Sequence, residues 1–436
     1  MNENFEYIYE LLHSFTNLSF SALLCTDLSG INRKIKEKVD KITVITLKVY
    51  RIGHLVMNGE DYLRYYASYF ENKDSNKEIV IFLNDTPEYN YKICNYQLYN
   101  MVSRVIPIID NISIIYGIKL LSLNDSDLWE FNDRTKSAYG YGFILNVDTF
   151  NSMPPQLKFN AEEEKKGQEL LKQMGINGES SLICFHNRDA AYSITKTKDE
   201  SSLGAHRNNN LENYYLAIKQ LANRGYYCLR MGQAFEKPLD FIHEKVIDYA
   251  GKYRSDFGDI YLSAKCKFFL GGSTGLTSVP WIFNVPTIFT NALPSGAVPY
   301  SENLLSIYKK VWYIPEKRFL NLRELLNGRI HDWGYHMNWK SKLGIEFIQN
   351  SPEEILDVVE EMLCRLDRKW IDTEEDIELQ NRYLAFFYGN FRDNSVIYTH
   401  LNDFLARKKR QSMPHSFVDT SRVGAMFLRQ NKYLLD

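Results

Sequence analysis

The chain is poor in cysteine, and none of what it has is paired in sequence. Its six cysteines, Cys25, Cys94, Cys184, Cys228, Cys266 and Cys364, are scattered over 436 residues, with no C-x-x-C pair and no other zinc-ligand spacing. They read as reduced core residues, which argues against a cysteine zinc site. No apolar run approaches the roughly 18 residues needed to span a bilayer. The N-terminus, Met1-Asn2-Glu3-Asn4-Phe5-Glu6, is acidic where a signal peptide would be basic. The expected location is the cytoplasm. A surplus of one charge is also missing: the net charge is -2 with 24% charged residues, which argues against a dedicated nucleic-acid binder. Neither solenoid-period repeats nor low-complexity segments occur. Two phosphate-binding signatures, Walker A and G-x-G-x-x-G, are absent, which disfavours P-loop ATPases and Rossmann dehydrogenases.

With 44% hydrophobic residues, the composition is that of a globular protein. A chain of 436 residues exceeds what one core usually supports, so two domains of roughly 150 to 200 residues are expected, with a cleft between them. The 30 tyrosines suit stacking against sugars or bases, and equally a compositional bias.

Strand and helix signals alternate. A β-branched run, Ile42 to Val49, is followed by a turn at Arg51-Ile52-Gly53-His54 and a helical pattern from Gly59 to Phe70. Strand Ile79 to Leu83, a helix over Tyr91 to Val102 and a weaker strand, Val105 to Ile109, complete βαβαβ, half of a doubly wound sheet. Residues 112 to 155 resist assignment, and Met153-Pro154-Pro155 marks a boundary. The first domain is predicted to span 1–158. In the second, 159–369, helix Ala161 to Met174 leads to strand Leu182 to Phe185. Helix Leu211 to Asn223, strand Tyr226 to Leu229, strand Val246-Ile247 and a helix over Asp256 to Ala264 follow. Strand Phe268 to Leu270, helix Leu276 to Phe283 and strand Thr287 to Phe289 close the series. Ser351-Pro352-Glu353-Glu354 is a capping box opening an amphipathic helix to Leu366. The tail, 370–436, reads as helices without a sheet of their own, packing back on the first domain.

Three polar loops end strands of the second domain: His186-Asn187-Arg188-Asp189, Arg230-Met231-Gly232 and Gly271-Gly272-Ser273-Thr274-Gly275. At the carboxyl ends of parallel strands such loops converge on one crevice. Arg188 offers a planar fork of donors for phosphate, and Asp189 either orients it or meets a substrate hydroxyl. An Arg-Asp pair that merely stabilises its loop is the alternative. Residues 193 to 210, with Lys196, Lys198, His206 and Arg207, have the length of a lid or a surface loop. Gly232 permits close backbone approach beside Arg230. Asp248-Tyr249 closes a strand, and Ser255-Asp256 looks like a helix cap. The Ser273-Thr274-Gly275 turn presents hydroxyls and N–H groups at a helix start, which suits an anion.

Phe185-His186-Asn187-Arg188-Asp189, Arg207-Asn208, Gly225 through Gly232, Val246-Ile247-Asp248-Tyr249, and Ser255-Asp256 through Gly275 together resemble a bacterial glycosyltransferase family from surface-polysaccharide loci. The likeness covers roughly 180 to 295, with a weaker trace at Tyr50 to Tyr62. The arrangement is distantly similar to fucosyltransferases, but Asp189 directly follows Arg188 where their acid is more distant, so GDP-fucose is not carried over. The resemblance implies GT-B architecture, two facing Rossmann-like domains with the nucleotide-sugar held by the second. It makes His186, Asn187, Arg188, Arg207, Asn208, Arg230, Met231, Gly232, Asp248, Tyr249, Ser255, Asp256, Ser273, Thr274 and Gly275 candidates for donor binding. Arginines and a helix N-terminus that hold the leaving diphosphate remove the need for a metal. The lack of Asp-x-Asp in a suitable strand-end loop agrees, so no cofactor or metal is expected. Inversion at the anomeric carbon needs a base near the acceptor hydroxyl; His54 is the first candidate and Asp189 the second. The expected partners are a nucleotide-sugar donor and a cell-surface glycan acceptor. A nucleotide-sugar epimerase or hydrolase and a non-catalytic sugar-nucleotide-binding scaffold are the alternatives. Arg407-Lys408-Lys409-Arg410 reads as a solvated helix end, with peripheral contact to anionic inner-membrane lipid as the variant.

Overall fold

The β-branched run that starts at Ile42 becomes β1 (Lys41–Thr46), and Ile79 to Leu83 falls in β2 (Glu78–Leu83). In the computed structural model, which describes residues 3–71, 77–87, 90–131, 151–176, 181–191, 205–293, 303–327, 343–392 and 422–436, the chain divides into two compact units, Met1–Asn160 and Ala161–Asp436. Each is described separately.

In the first unit β3 (Ile108–Ile109) and β4 (Trp129–Phe131) join β1 and β2 in the order β3-β2-β1-β4, every pairing parallel. Strands enclosed on both faces need continuous apolar sequence, and five of the six β2 residues are buried. Helices Glu3–His13 and Ile112–Asn124 supply Ile8, Leu12, Ile114, Ile118 and Leu121, and the turn after the first adds Phe15, to the core that Ile42, Val44, Ile79 and Ile81 share. The stretch after 112 that the sequence left unassigned therefore contains a helix, capped where Asn111 accepts the Ile114 N–H at 3.1 Å, and a strand. Its mixed polar pattern hid both. The helix after β1 starts at Ile52, not near Gly59, and runs to Glu71. Its buried Glu60 accepts hydrogen bonds from Arg64 Nε (2.8 Å), Gln156 N (2.7 Å) and Leu157 N (3.2 Å), which ties the end of the unit to this helix.

The second unit contains β5 (Leu182–His186), β6 (Tyr227–Arg230), β7 (Val246–Ile247), β8 (Phe268–Gly271), β9 (Thr287–Ala292) and β10 (Leu304–Tyr308). A three-stranded antiparallel sheet follows from β11 (Lys310–Tyr313), β12 (Arg318–Phe319) and β13 (Ile345–Ile348), in the order β12-β11-β13. With β14 (Arg422–Val423), the parallel sheet reads β14-β10-β9-β8-β5-β6-β7. Residues of β8, β9 and β10 are buried throughout, as helix-covered parallel strands require. Helix Pro352–Leu366 carries the expected capping box at Ser351 and Glu354, and turns Ile355, Val358, Val359 and Met362 into this core.

Two expectations are corrected here. The described part of the tail is not helix alone but supplies a strand to the second unit's sheet: β14 pairs with the edge strand β10, and Val423, Phe427, Leu428, Leu434 and Leu435 enter its core. Arg429 grips Asp376 through Nε to Oδ1 at 2.7 Å, and Ala425 N donates to Glu361 Oε2 at 2.7 Å. The cause is an open sheet edge beside an apolar helix face, which the tail covers. Of the cysteines, Cys184, Cys228 and Cys266 are buried, whereas Cys25 is exposed and so is no core residue; all six are free thiols. No described helix is long and apolar enough to cross a membrane.

Candidate functional site

Counted within the second unit, β7-β6-β5-β8-β9-β10 is the order 3-2-1-4-5-6. The direction of winding reverses between β5 and β8, and at such a switch point the loops leaving the carboxyl ends part and open a crevice. His186 pairs in register with Gly271, so both strands end at the same level. The loops at 187–191 and 272–277 therefore leave side by side.

Arg188 stands on the first of these loops and donates from Nη1 to Asn208 Oδ1. Its carbonyl accepts Asn209 N at 2.8 Å, and Asn187 Nδ2 donates to Asn209 O at 3.3 Å. The 208–209 segment is thus bound to the β5 loop. Gly272 makes room for it from the other side: a Cβ there would lie 2.9 Å from Asn209 Nδ2. Arg188, Asn187 and Asn208, proposed from sequence, are brought together with Gly272 and the Ser273-Thr274-Gly275 turn.

Lys309, directly after β10, was missed. It is 3% exposed, and its Nζ donates to His206 O at 2.7 Å and Asn208 O at 2.6 Å. Burial, and after it the nearby Arg188, push its pKa down to about 7. The available signal was a lysine ending the largely apolar run Leu304-Leu305-Ser306-Ile307-Tyr308; the sequence reading stopped that sheet at Phe289, short of β10. Arg207 lies in the short turn Ala205–Arg207, whose His206 is driven by burial, then by Arg207 and Lys309, to a pKa of about 3.

His186 is held by Nδ1, 3.0 Å from Met231 O. Burial lowers its pKa to about 4, so the ring is neutral; with Nδ1 donating, Nε2 is left as an acceptor. Gly232 has φ +139°, and a Cβ on it would meet the His186 ring at 3.3 Å. Glycine here allows the backbone to lie against the imidazole.

Several candidates have structural duties. Arg230, expected to face a diphosphate, is 2% exposed; its guanidinium lies 4.5 Å over the Phe235 ring, with Nη1 3.7 Å from Asp248 Oδ1. Asp189 uses both oxygens on backbone N–H groups, Ala191 at 3.0 Å and Glu236 at 2.9 Å, while Glu236 Oε1 accepts Ala190 N at 3.1 Å. That reciprocal lock joins the β5 and β6 loops and argues against Asp189 as a base. Asp248 caps helix Tyr249–Lys252, and Ser255 caps helix Asp256–Lys265. Tyr249 OH bridges Ser255 and Asp259, and Asp256 pairs with Arg254 at 2.8 Å. The helix expected to start at Leu276 begins at Ser278 and has five residues. So short a helix adds little macrodipole, and the turn itself is what faces the crevice. There Thr274 Oγ1 and Thr277 Oγ1 lie 3.1 Å apart, and Thr277 Oγ1 donates to Gly272 O at 2.8 Å.

His54 belongs to the first unit. It lies in the first turn of helix Ile52–Glu71 rather than in a loop, and burial, then Lys48 and Arg51, lower its pKa to about 4. The imidazole is neutral near pH 7. Lys196, Lys198 and Arg407 to Arg410 lie outside the described residues. Among the described residues no group of three or more His, Cys, Asp or Glu is placed to hold a metal ion.

No protein-family model matches the chain, and no curated protein matches it in sequence. Solved structures with a similar course are bacterial. A family 9 glycosyl transferase from Veillonella parvula is 14% identical at a TM-score of 0.44, over 75% of this chain and 98% of that one. The E. coli ADP-heptose lipopolysaccharide heptosyltransferase II is 16% identical at 0.41, over 75% and 99%. E. coli heptosyltransferase WaaC, solved with ADP-2-deoxy-2-fluoro heptose, is 10% identical at 0.30, over 67% and 98%. At these values no residue role and no activity is carried over. The likeness to surface-polysaccharide glycosyltransferases and to fucosyltransferases rests on the motif residues alone.

Proposed function

We propose that this protein is a metal-independent glycosyltransferase that moves a sugar from a nucleotide-sugar to a cell-surface glycan. One observation carries the reading: the switch point between β5 and β8 gathers Arg188, Asn208 and the Gly272 to Gly275 turn, with the buried Lys309 behind them. Burying cationic groups is costly, and at a crevice of this topology an anionic ligand is the natural compensation. In the proposed reaction the acceptor oxygen forms a bond to the anomeric carbon as the bond from that carbon to the diphosphate breaks. Arg188 takes the negative charge of the leaving diphosphate by paired N–H donors. The acceptor proton is assigned to His54, which is neutral near pH 7 but, with its pKa lowered to about 4, a weaker base than a free imidazole. Action at the cytoplasmic face, with peripheral contact to the membrane that carries the acceptor, completes the proposal.

The test is calorimetric binding of ADP, GDP, UDP, dTDP and CMP to the purified protein, with EDTA or with magnesium. Binding of one nucleotide in EDTA supports the reading and identifies the donor class. Failure of all five to bind would overturn the reading and leave a non-catalytic polysaccharide-binding scaffold; donor consumption without acceptor would point to the hydrolase.

A further inference from the structure

The Lys309 amine is enclosed in the second unit, and among the described residues its hydrogen bonds run to backbone oxygens: Nζ donates to the carbonyls of His206 and Asn208. These two carbonyls flank Arg207 in the turn that precedes helix Tyr215–Asn223. The same Asn208 offers its side-chain oxygen to Arg188, and the next residue, Asn209, donates its N–H to the Arg188 carbonyl. A chain of contacts thus runs from the end of β10, through the 206–208 backbone, to the guanidinium on the β5 loop. The strands involved are separated in the sheet by β9 and β8, so no direct ladder contact carries this coupling.

We propose that Lys309 is a positioning residue for the anion crevice: it fixes the 206–208 turn through two backbone carbonyls and thereby sets the Asn208 carboxamide that aims Arg188. The proposal rests on the reading of that crevice as a diphosphate site. A buried amine without good partners is expensive, and a short hydrophobic residue would satisfy the end of β10 at less cost. A long side chain with more than one donor, as lysine is, reaches from there to both carbonyls. The neighbouring cations are Arg188 from the β5 loop and Arg207 from the turn; His206 is uncharged near neutral pH because burial holds its pKa at about 3.

The experiment compares the parent, Lys309→Met, Lys309→Arg, Asn208→Ala and the Asn208→Ala/Lys309→Met double variant in the full chain. Circular dichroism confirms folding. The first readout, needing no ligand, is hydrogen exchange at the Asn209 amide, with the Phe269 amide, bonded to Pro286 O inside the sheet, as internal control. Lys309→Met is expected to exchange Asn209 at least about ten-fold faster, with Phe269 unchanged. The second readout is calorimetric affinity for inorganic pyrophosphate, expected to fall about ten-fold in Lys309→Met and to recover in Lys309→Arg. Because Lys309 acts through Asn208, the double variant should bind no more weakly than the weaker single variant. Unchanged Asn209 exchange, unchanged affinity in folded Lys309→Met, or additive losses would each overturn the proposal. A parent that binds neither pyrophosphate nor any nucleoside diphosphate sinks the proposed function instead, and Asn209 exchange alone then decides whether Lys309 orders the turn.

Discussion

Both units open with the same winding: β3-β2-β1-β4 in the first and β7-β6-β5-β8 in the second are each the order 3-2-1-4. They differ in how they use buried charge. In the first unit the buried arginine, Arg64, lies beside a buried carboxylate, Glu60, on its own helix, and the pair holds backbone near the end of the unit. In the second unit Lys309 is bonded to carbonyl oxygens, and Arg188 donates to a neutral carboxamide at the crevice. One topology therefore carries buried charge in two ways: in the first unit an ion pair on one helix holds backbone, whereas in the second the Lys309 amine ties a turn to the crevice loop.

The comparison breaks most visibly at Glu60. Glu60→Gln takes the carboxylate from the buried Arg64 and should cost the first unit about 3 kcal/mol in urea unfolding, with nucleotide affinity unchanged. A loss of affinity equal to that of a crevice variant would erase the distinction between the units. Arg188→Ala should do the reverse, leaving the unfolding midpoint near that of the parent while nucleoside diphosphate affinity by calorimetry falls on the order of 100-fold, the worth of a charged hydrogen-bonding pair. Parent-like binding would remove Arg188 from the site. Gly232→Ala places a side chain at φ +139° and against His186; it should destabilise the second unit by about 2 kcal/mol in chemical denaturation.

The last effect is absent at neutral pH and grows on acidification. His54 and His186 have folded pKa values near 4, below the ordinary 6.5, because burial disfavours the cation. From pH 6.5 down to 4 the unfolded chain binds protons that the folded chain does not, so stability is full above 6.5 and declines across that window. His54→Asn should flatten the slope in the first unit and His186→Asn in the second. Slopes unchanged in both variants would show that folding lowers the pKa of neither histidine.

Which parts were legible follows from the physics of each. The continuous apolar runs at Ile79 to Leu83 and Phe268 to Leu270 announced buried parallel strands, because strands covered on both faces admit few polar residues. The capping box at Ser351 was equally readable, since its hydrogen bonds join residues three apart. β4 and β14 have three and two residues, too few for a period, and β14 exists only because β10 presents an edge for it.

The sequence by itself determined the alternation of strands and helices, the two-unit α/β class and the polar loops at strand ends, all of which are local patterns of burial and hydrogen bonding. Tertiary structure alone decided that the winding reverses between β5 and β8, that Asp189 and Asp248 serve backbone N–H groups, that the tail completes the second unit, and that Lys309 stands behind Arg188. Those facts depend on residues far apart in the chain, as Lys309 and Asn208 are. A hydrogen bond between such residues leaves no periodic trace in sequence; it is fixed by the order in which the strands pack.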